Sequence, residues 1–347
     1  MSNSHFWRKR WKLILNIVTV SALVMLAYVV RKQLGQTIAN LQRVNIFALL
    51  LIIPIEAVNY DAYARMYRSM LKILKQEVSY KEMYKVSLEL NMVNHVFPSG
   101  GVTGFSYFSL RLRRYGVSAA KSTLVQTMKF GLLFISFEVL LVVGLLMLAI
   151  GGRANNLTIL IAGSLSTLLV VGTLFVAYII GSESRIHSFF TAITKGLNKA
   201  IHTVRPKHPE TINITRLESV LLELHQNYLL LRSEYRQLFG PLVNALVANA
   251  TEVAAVYVVY IAFGHWVNPG AVILAYAVAN FAGLVSVLPG GLGIYEALMT
   301  GVLATAGVSP AISLPVTVMY RVFNMFVQIT PGYYFYHKAL HGRDEHA

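Results

Sequence analysis

Pro98-Ser99-Gly100-Gly101-Val102-Thr103-Gly104 and, 191 positions later, Pro289-Gly290-Gly291-Leu292-Gly293 each break an apolar stretch. With Pro98 set on Pro289, Gly100 falls on Gly291 and Gly116-Val117-Ser118 on Gly307-Val308-Ser309. Ala120, Ser122, Val125 and Met128 then meet Ala311, Ser313, Val316 and Met319 without a gap. An internal repeat of this kind is one structural unit used twice. A broken hydrophobic segment in matching positions of two halves points to the substrate site of a transporter.

Composition fixes the class. The 347 residues are 56% hydrophobic and 13% charged, with mean hydropathy +0.57. Soluble domains carry about 25% charged residues. Several apolar stretches approach the roughly 20 residues that span a bilayer. The chain therefore reads as an all-α polytopic membrane protein forming a single membrane domain. There is no cysteine, which excludes disulfides, thiolate metal sites and a thiol nucleophile. The net charge of +15 comes from basic residues that flank apolar spans. That pattern fits cytosolic loops and anionic lipid headgroups, not a nucleic acid.

Six full spans are expected, near 11–30, 45–66, 118–150, 156–181, 241–263 and 310–337. The first follows Trp7-Arg8-Lys9-Arg10-Trp11-Lys12 and reads as an uncleaved span, not a signal peptide. Residues 81–115 and 269–308 are broken at Pro98 and Pro289, and each half is short for a crossing. They read as re-entrant hairpins, which are tolerated at membrane depth only where protein or a water-filled cavity covers the backbone. On this scheme Arg31, Lys32, Arg43 and Arg153 lie outside and Lys129 and Arg321 lie within spans; every other Lys and Arg is cytosolic. The first hairpin then opens to the cytosol and the second outward. Three full spans separate them, so the second copy is inverted, with half one at 81–150 and half two at 269–337. Between the halves, residues 182–240 carry Leu217, Val220, Leu221, Leu224, Tyr228 and Leu231 at helical spacing. They predict an amphipathic helix, lying on the membrane or packed on the cytosolic ends of the spans.

Ionisable residues inside spans are costly and mark function by default. Here they are Glu56, Asp61, Lys129, Glu138, Glu252, Glu296 and Arg321. Thr317, Arg321, Asn324 and Gln328 share one face of the last span; Ser122, Gln126, Lys129 and Ser136 share one face of the third. The two stripes run nearly in phase in the repeat, with the cation displaced by one residue. Two cations facing a cavity, one from each half, suit an anionic group such as a lipid phosphate; alternatively each neutralises a nearby glutamate. Glu296 follows the second glycine break, where it could gate, pair or cap a helix start. The glycine breaks at Pro98, Gly100 and Gly101 and at Pro289, Gly291 and Gly293 expose backbone N–H groups that can bind an anion. Asn91, Asn94 and His95 precede the first break and either bind a headgroup or satisfy freed backbone. Asn249 and Glu252 stand three apart, with both roles open. His337 and His341 have zinc-compatible spacing but no third ligand. Asn156-Leu157-Thr158 matches a glycosylation sequon by pattern. No catalytic triad or cofactor motif is evident.

Three features together carry a family resemblance: Asn94-x-x-x-Pro98-x-Gly100-Gly101 before a basic cluster, Pro289-Gly-Gly-Leu-Gly-x-x-Glu296, and Tyr320-Arg321 in the last span. The chain resembles the transmembrane domain of lysylphosphatidylglycerol synthases, the multiple peptide resistance factors, and their stand-alone flippase-like relatives. The likeness implies a phospholipid, or another anionic lipid, moved between leaflets. It also implies roles for Pro98, Gly100, Gly101, Pro289, Gly291, Gly293, Glu296 and Arg321. The family's Glu-Arg-x-x-Asp pattern in the third span is reduced here to Met128-Lys129-x-x-Leu132. The soluble aminoacyl-transferase domain of the full synthases finds no room before Ala347. The expected function is lipid translocation in a bacterial cytoplasmic membrane. The alternative is the membrane subunit of an aminoacyl- or glycosyl-transfer enzyme system. Expected partners are membrane lipids, with a homodimer or a separate lipid-modifying enzyme also compatible.

The charge distribution makes a direct prediction. With no native cysteine, one introduced at Ser184 or His208 should react with an impermeant maleimide only after the cells are opened. Labelling from outside intact cells would overturn the topology.

Overall fold

The computed structural model describes residues 31–42, 44–97, 102–189, 214–285 and 293–341, with isolated helical positions at 21, 24, 25, 28, 191 and 192. Most of the expected first span and both glycine breaks, including Pro98, Gly100, Gly101, Pro289 and Gly291, lie outside the described residues. The described chain is helical, without strands. The helices are α1 (Arg31–Leu41), α2 (Ile46–Leu50), α3 (Ile52–Ile73), α4 (Tyr80–Val96), α5 (Val102–Leu112), α6 (Ala119–Ile150) and α7 (Asn156–Ile180). They continue as α8 (Ile214–Ser233), α9 (Phe239–Ala262), α10 (Pro269–Val285), α11 (Ile294–Thr305) and α12 (Pro310–His341). Five helical stretches are long and apolar enough to cross a membrane: Ile46–Ile73, Ala119–Ile150, Asn156–Ile180, Tyr235–Ala262 and Pro310–Ala339. They coincide with five of the six expected spans. The chain is an all-α polytopic membrane protein.

Boundaries shift where a span continues as an amphipathic helix. The second span was expected to end near residue 66, yet α3 runs on to Ile73. Met66, Tyr67, Met70 and Leu71 are buried along one side of that extension while Arg65 stays exposed. A hydropathy reading stops at the first basic residues, but the buried stripe continues. Asp61 at this level is paired with Arg65 at 2.7 Å and accepts a hydrogen bond from the Tyr80 hydroxyl at 2.5 Å. It ties α3 to the start of α4.

The repeat is visible in the boundaries themselves. α6 and α12 both have 32 residues, and the 191-residue offset superimposes both ends. Gly116 and Gly307 precede them at φ 75° and 82°, in the left-handed region that favours glycine. Ser118 Oγ accepts from Lys121 N at 3.2 Å at the start of α6, and Ser309 Oγ accepts from Ala311 N at 3.3 Å at the start of α12. These caps satisfy orphan donors in the first turn. Ahead of each long helix stand two short ones, α4 and α5 or α10 and α11, packed on one another across the glycine break. The second arms have only 11 and 12 residues, so they extend about 17–18 Å at 1.5 Å per residue, against a hydrocarbon core of about 30 Å.

The halves interlock. α4 of half one packs on α12 of half two, α10 of half two packs on α6 of half one, and the preceding spans α3 and α9 lie against each other. Glycine allows the close crossings. A Cβ at Gly332 on α12 would fall 2.5 Å from Met92 Cβ and 2.6 Å from the Leu88 carbonyl on α4. A Cβ at Gly270 would fall 2.1 Å from the Gly144 carbonyl on α6. Without a hydrophobic force between helices in lipid, such small-residue contacts supply the packing. The polar segment between the halves also packs: Leu224 and Leu231 of α8 are buried with residues of α3 and α6. His225 Nδ1 lies 2.9 Å from the Ile180 carbonyl, and Glu223 accepts from Ser118 Oγ at the start of α6. Of the two placements open from sequence, the helix takes the one on the spans.

Gly332→Ala should therefore lower the midpoint of thermal unfolding in detergent, by an overpacking cost of about 1–3 kcal/mol. Gly163→Ala, where nothing lies within 4 Å of an added Cβ, serves as the control and should not. Equal stability of the two variants would refute the close crossing.

Candidate functional site

Where the interlocked halves meet lies a cavity of about 300 Å³. Its wall draws on α1, α3, α4, α6, α9, α10, α11 and α12. Both cationic stripes reach it: Lys129 from α6, and Arg321 with Asn324 and Gln328 from α12. Asn94 lines it from α4, its amide lying over Gly104 of the return arm. Gln126 does not line it, though it is buried. Glu296 is not in the wall either, but it is the partner of a residue that is.

Arg321 and Glu296 form an ion pair at 2.5 Å, with side chains only 15% and 7% exposed. The geometry explains how the pair is held. Glu296 sits three residues into α11, and its Oε2 accepts from Gly293 N at 2.7 Å, closing the helix start. Its Oε1 accepts from Arg321 Nη1 and, at 2.8 Å, from Gln33 Nε2 of α1. The Tyr295 ring lies 4.9 Å from the Arg321 guanidinium. Pairing and capping, posed as alternatives in the sequence, are both satisfied by one carboxylate. Gly293 is the one residue of the second glycine break that is described, and it stands at φ 85°.

Lys129 is different. It is 92% buried, since only 8% of it is exposed, and no carboxylate among the described residues lies within ion-pair distance. Its ammonium sits 4.2 Å from the centroid of the Phe130 ring, a cation–π contact. The repeat explains the difference. Under the 191-residue offset, Glu296 and Arg321 correspond to Phe105 and Phe130. Those two rings stack, with centroids 5.9 Å apart and planes at 14°. The contact between return arm and long helix is ionic in half two and aromatic in half one. The cation of half one, moved by one residue, is left facing the cavity without an anion.

Other candidates separate into structural and cavity-facing groups. Asn249 Nδ2 donates to the Leu133 carbonyl at 3.0 Å and to Ser136 Oγ, so it ties α9 to α6 while lining the cavity. His95 Nδ1 lies 3.0 Å from the Asn91 carbonyl, and Asn91 Nδ2 donates to the Tyr60 hydroxyl at 3.2 Å. Glu252 accepts from the Tyr320 hydroxyl at 2.7 Å and lines the cavity. Glu56 is buried and accepts from Gln328 Nε2 at 3.1 Å. Glu138 Oε1 is buried without a partner outside this wall. No cluster of three metal-ligating side chains occurs among the described residues. The sequon threonine, Thr158, is fully buried and exchanges hydrogen bonds with Asn155 in a capping box.

Sequence reasoning missed the tyrosines. Tyr63, Tyr67, Tyr276 and Tyr295 all line the cavity, as do Gln33 and Asn280. One signal was available: Tyr63 and Tyr67, like Tyr276 and Asn280, stand four apart on one helix face. Tyrosine offers an apolar body with a polar tip, which a hydropathy scan counts as core.

A sequence profile described as the lysylphosphatidylglycerol synthase TM region matches residues 13–332. A UPF0104 membrane protein of Methanothermobacter thermautotrophicus is 23% identical over 255 residues, covering 72% of this chain and 73% of that protein. A second UPF0104 membrane protein match from the same organism is 30% identical over 88 residues, a quarter of either chain. With the profile spanning nearly all of the sequence, the chain belongs to the family of the lysylphosphatidylglycerol synthase transmembrane region.

Proposed function

We propose that this protein moves a phospholipid or another anionic lipid between leaflets, with the headgroup phosphate engaged by Lys129. The observation that carries this reading is the buried Lys129 ammonium, which faces a cavity shared by both halves and has no carboxylate partner among the described residues. An uncompensated cation in a membrane interior costs several kcal/mol. An arriving anion offsets that cost. A phosphate does so with short, charge-assisted hydrogen bonds.

Arg321 takes the complementary role. Its guanidinium is already committed to Glu296, so a phosphate that reaches it must share or displace the carboxylate. Because Glu296 also caps α11, release of the pair loosens the start of the second hairpin's return arm. This links headgroup arrival to movement of the hairpin, in a repeat whose inversion supplies two access states. On the proposed reading both hairpins enter and leave on one side of the membrane, the first open to the cytosol and the second outward. A cavity of about 300 Å³ suits a headgroup and leaves the acyl chains in the bilayer.

The test is leaflet exchange of fluorescent phosphatidylglycerol in liposomes, scored per folded molecule. Lys129→Gln should slow exchange about tenfold or more, matching the roughly 1.5–3 kcal/mol contributed by a hydrogen bond to a charged group. Arg321→Ala should abolish it, and Arg321→Lys should keep part, because charge survives but the planar fork does not. Wild-type exchange in Lys129→Gln, Arg321→Ala and the double variant would place the lipid path elsewhere.

A further inference from the structure

Beside the cationic side of the cavity is a second group of polar side chains with the opposite defect. Glu56 of α3 is 1% exposed; its Oε2 accepts from Gln328 Nε2 of α12, and its Oε1 has no partner. Glu252 of α9 accepts from the Tyr320 hydroxyl and, at 3.4 Å, from Asn324 Nδ2. Gln328, which holds Glu56, and Asn324, which holds Glu252, stand four residues apart on one face of α12, so both carboxylates are held from that face. Neither carboxylate has a Lys or Arg within ion-pair distance among the described residues; Arg321 is held by Glu296, and Lys129 lies over Phe130.

The unpartnered atoms of this group are all acceptors. Among the described residues they are Glu56 Oε1, Asn324 Oδ1 and Gln328 Oε1, with Asn59 Oδ1 three residues after Glu56 on the same face of α3, all on residues at least nine-tenths buried. The amide orientations follow from the chemistry of their partners. Gln328 must donate to a carboxylate, Asn59 to the Ala248 carbonyl, and Asn324 to a Tyr320 oxygen whose own proton goes to Glu252. The side-chain nitrogens are therefore spent and the oxygens left over. A buried acceptor with no donor costs about 1–3 kcal/mol, and several together beside two carboxylates call for positive charge. One proton would satisfy a single oxygen. A hard cation satisfies several, and oxygen-only donors select hard ions. A divalent ion of the calcium type takes six to eight oxygens, more than these side chains leave free.

We infer that Glu56 and Glu252, with the Asn59, Asn324 and Gln328 carbonyls, form a binding site for a hard monovalent cation, with Na+ as its probe. The site lies where α3 and α9, the spans that precede the two halves, meet each other and α12 of half two. Coupling ions of inverted-repeat transporters bind at such repeat interfaces. The inference stands apart from the lipid reading, because it rests on different residues and its test uses no lipid transport.

The measurement is equilibrium binding of radioactive Na+ to the detergent-purified protein, alongside thermal unfolding in NaCl or choline chloride at equal ionic strength. Wild type should bind Na+ saturably and unfold at higher temperature in NaCl. Glu56→Gln should bind about tenfold more weakly or worse, as ligand-shell changes do at metal sites. Glu252→Gln is the parallel variant should Glu56→Gln fold poorly. Absence of saturable Na+ binding to wild type overturns the inference. So does stabilisation by lowered pH that is identical in NaCl and choline chloride, which would assign the site to a proton.

Discussion

Inside a bilayer every backbone N–H and C=O must find its partner within the protein. The rest of this structure follows from that constraint. The helix pairs α4–α5 and α10–α11 each include an arm too short for a crossing, and a helix end short of water needs protein around it. The chain covers them reciprocally: α4 goes against α12, and α10 against α6. That exchange forces the halves to interlock, forces glycine into the crossings at Gly332 and Gly270, and leaves a polar cavity where the hairpins approach. The long helices must then be long on both sides, and α6 and α12 are equal in length.

Pseudo-symmetry sets positions but not chemistry. The contact between return arm and long helix recurs at Phe105 with Phe130 and at Glu296 with Arg321. A stacked pair needs no counterion and holds by dispersion and burial. The ion pair needs its partners, and Gln33 and the α11 start supply additional hydrogen bonds to Glu296. A buried pair of this kind separates only at high cost, unless a third charged group takes over one partner. One half thus has a contact that needs no partner charge, and the other has one that depends on it. Two equivalent positions in the repeat acquire different chemistry from two side chains each.

Much of this was legible in the sequence because membrane physics is simple at the level of composition. Span positions, the repeat offset and the cationic stripes come from hydropathy, glycine and helical period alone. The extension of α3 past residue 66 was hidden because its basic residues lie on one face and its buried ones on another. The fate of Lys129 was hidden for a related reason. Spacing showed that a cation faced the interior, but only the fold showed that Phe105 had taken the place of its carboxylate. The cavity tyrosines and Gln33 were hidden because α1, α3 and α10 reach this cavity through tertiary packing, which no local period records. Lys129 and Gln126, three apart, also show the limit of face arguments, since one lines the cavity and the other does not.

Among the described residues the cavity region holds a cation without an anion and two carboxylates without a cation, and they do not neutralise one another. Helix geometry explains why. Lys129 points from α6 alongside Phe130, while Glu56 and Glu252 are held from α3 and α9 by Gln328, Asn324 and Tyr320 of α12. Each side chain is fixed by its own helix face and by neighbours that a salt bridge would have to break. Keeping opposite charges apart in a low-dielectric interior costs stability that a direct pair would recover, because Coulomb attraction there is many times stronger than in water. Arg321 and Glu296 show that the fold can make such a pair when it serves the architecture. Separation at the neighbouring site is therefore a property of where the helices place these groups, and it leaves one surface suited to an anion and another suited to a cation within a single shared interface.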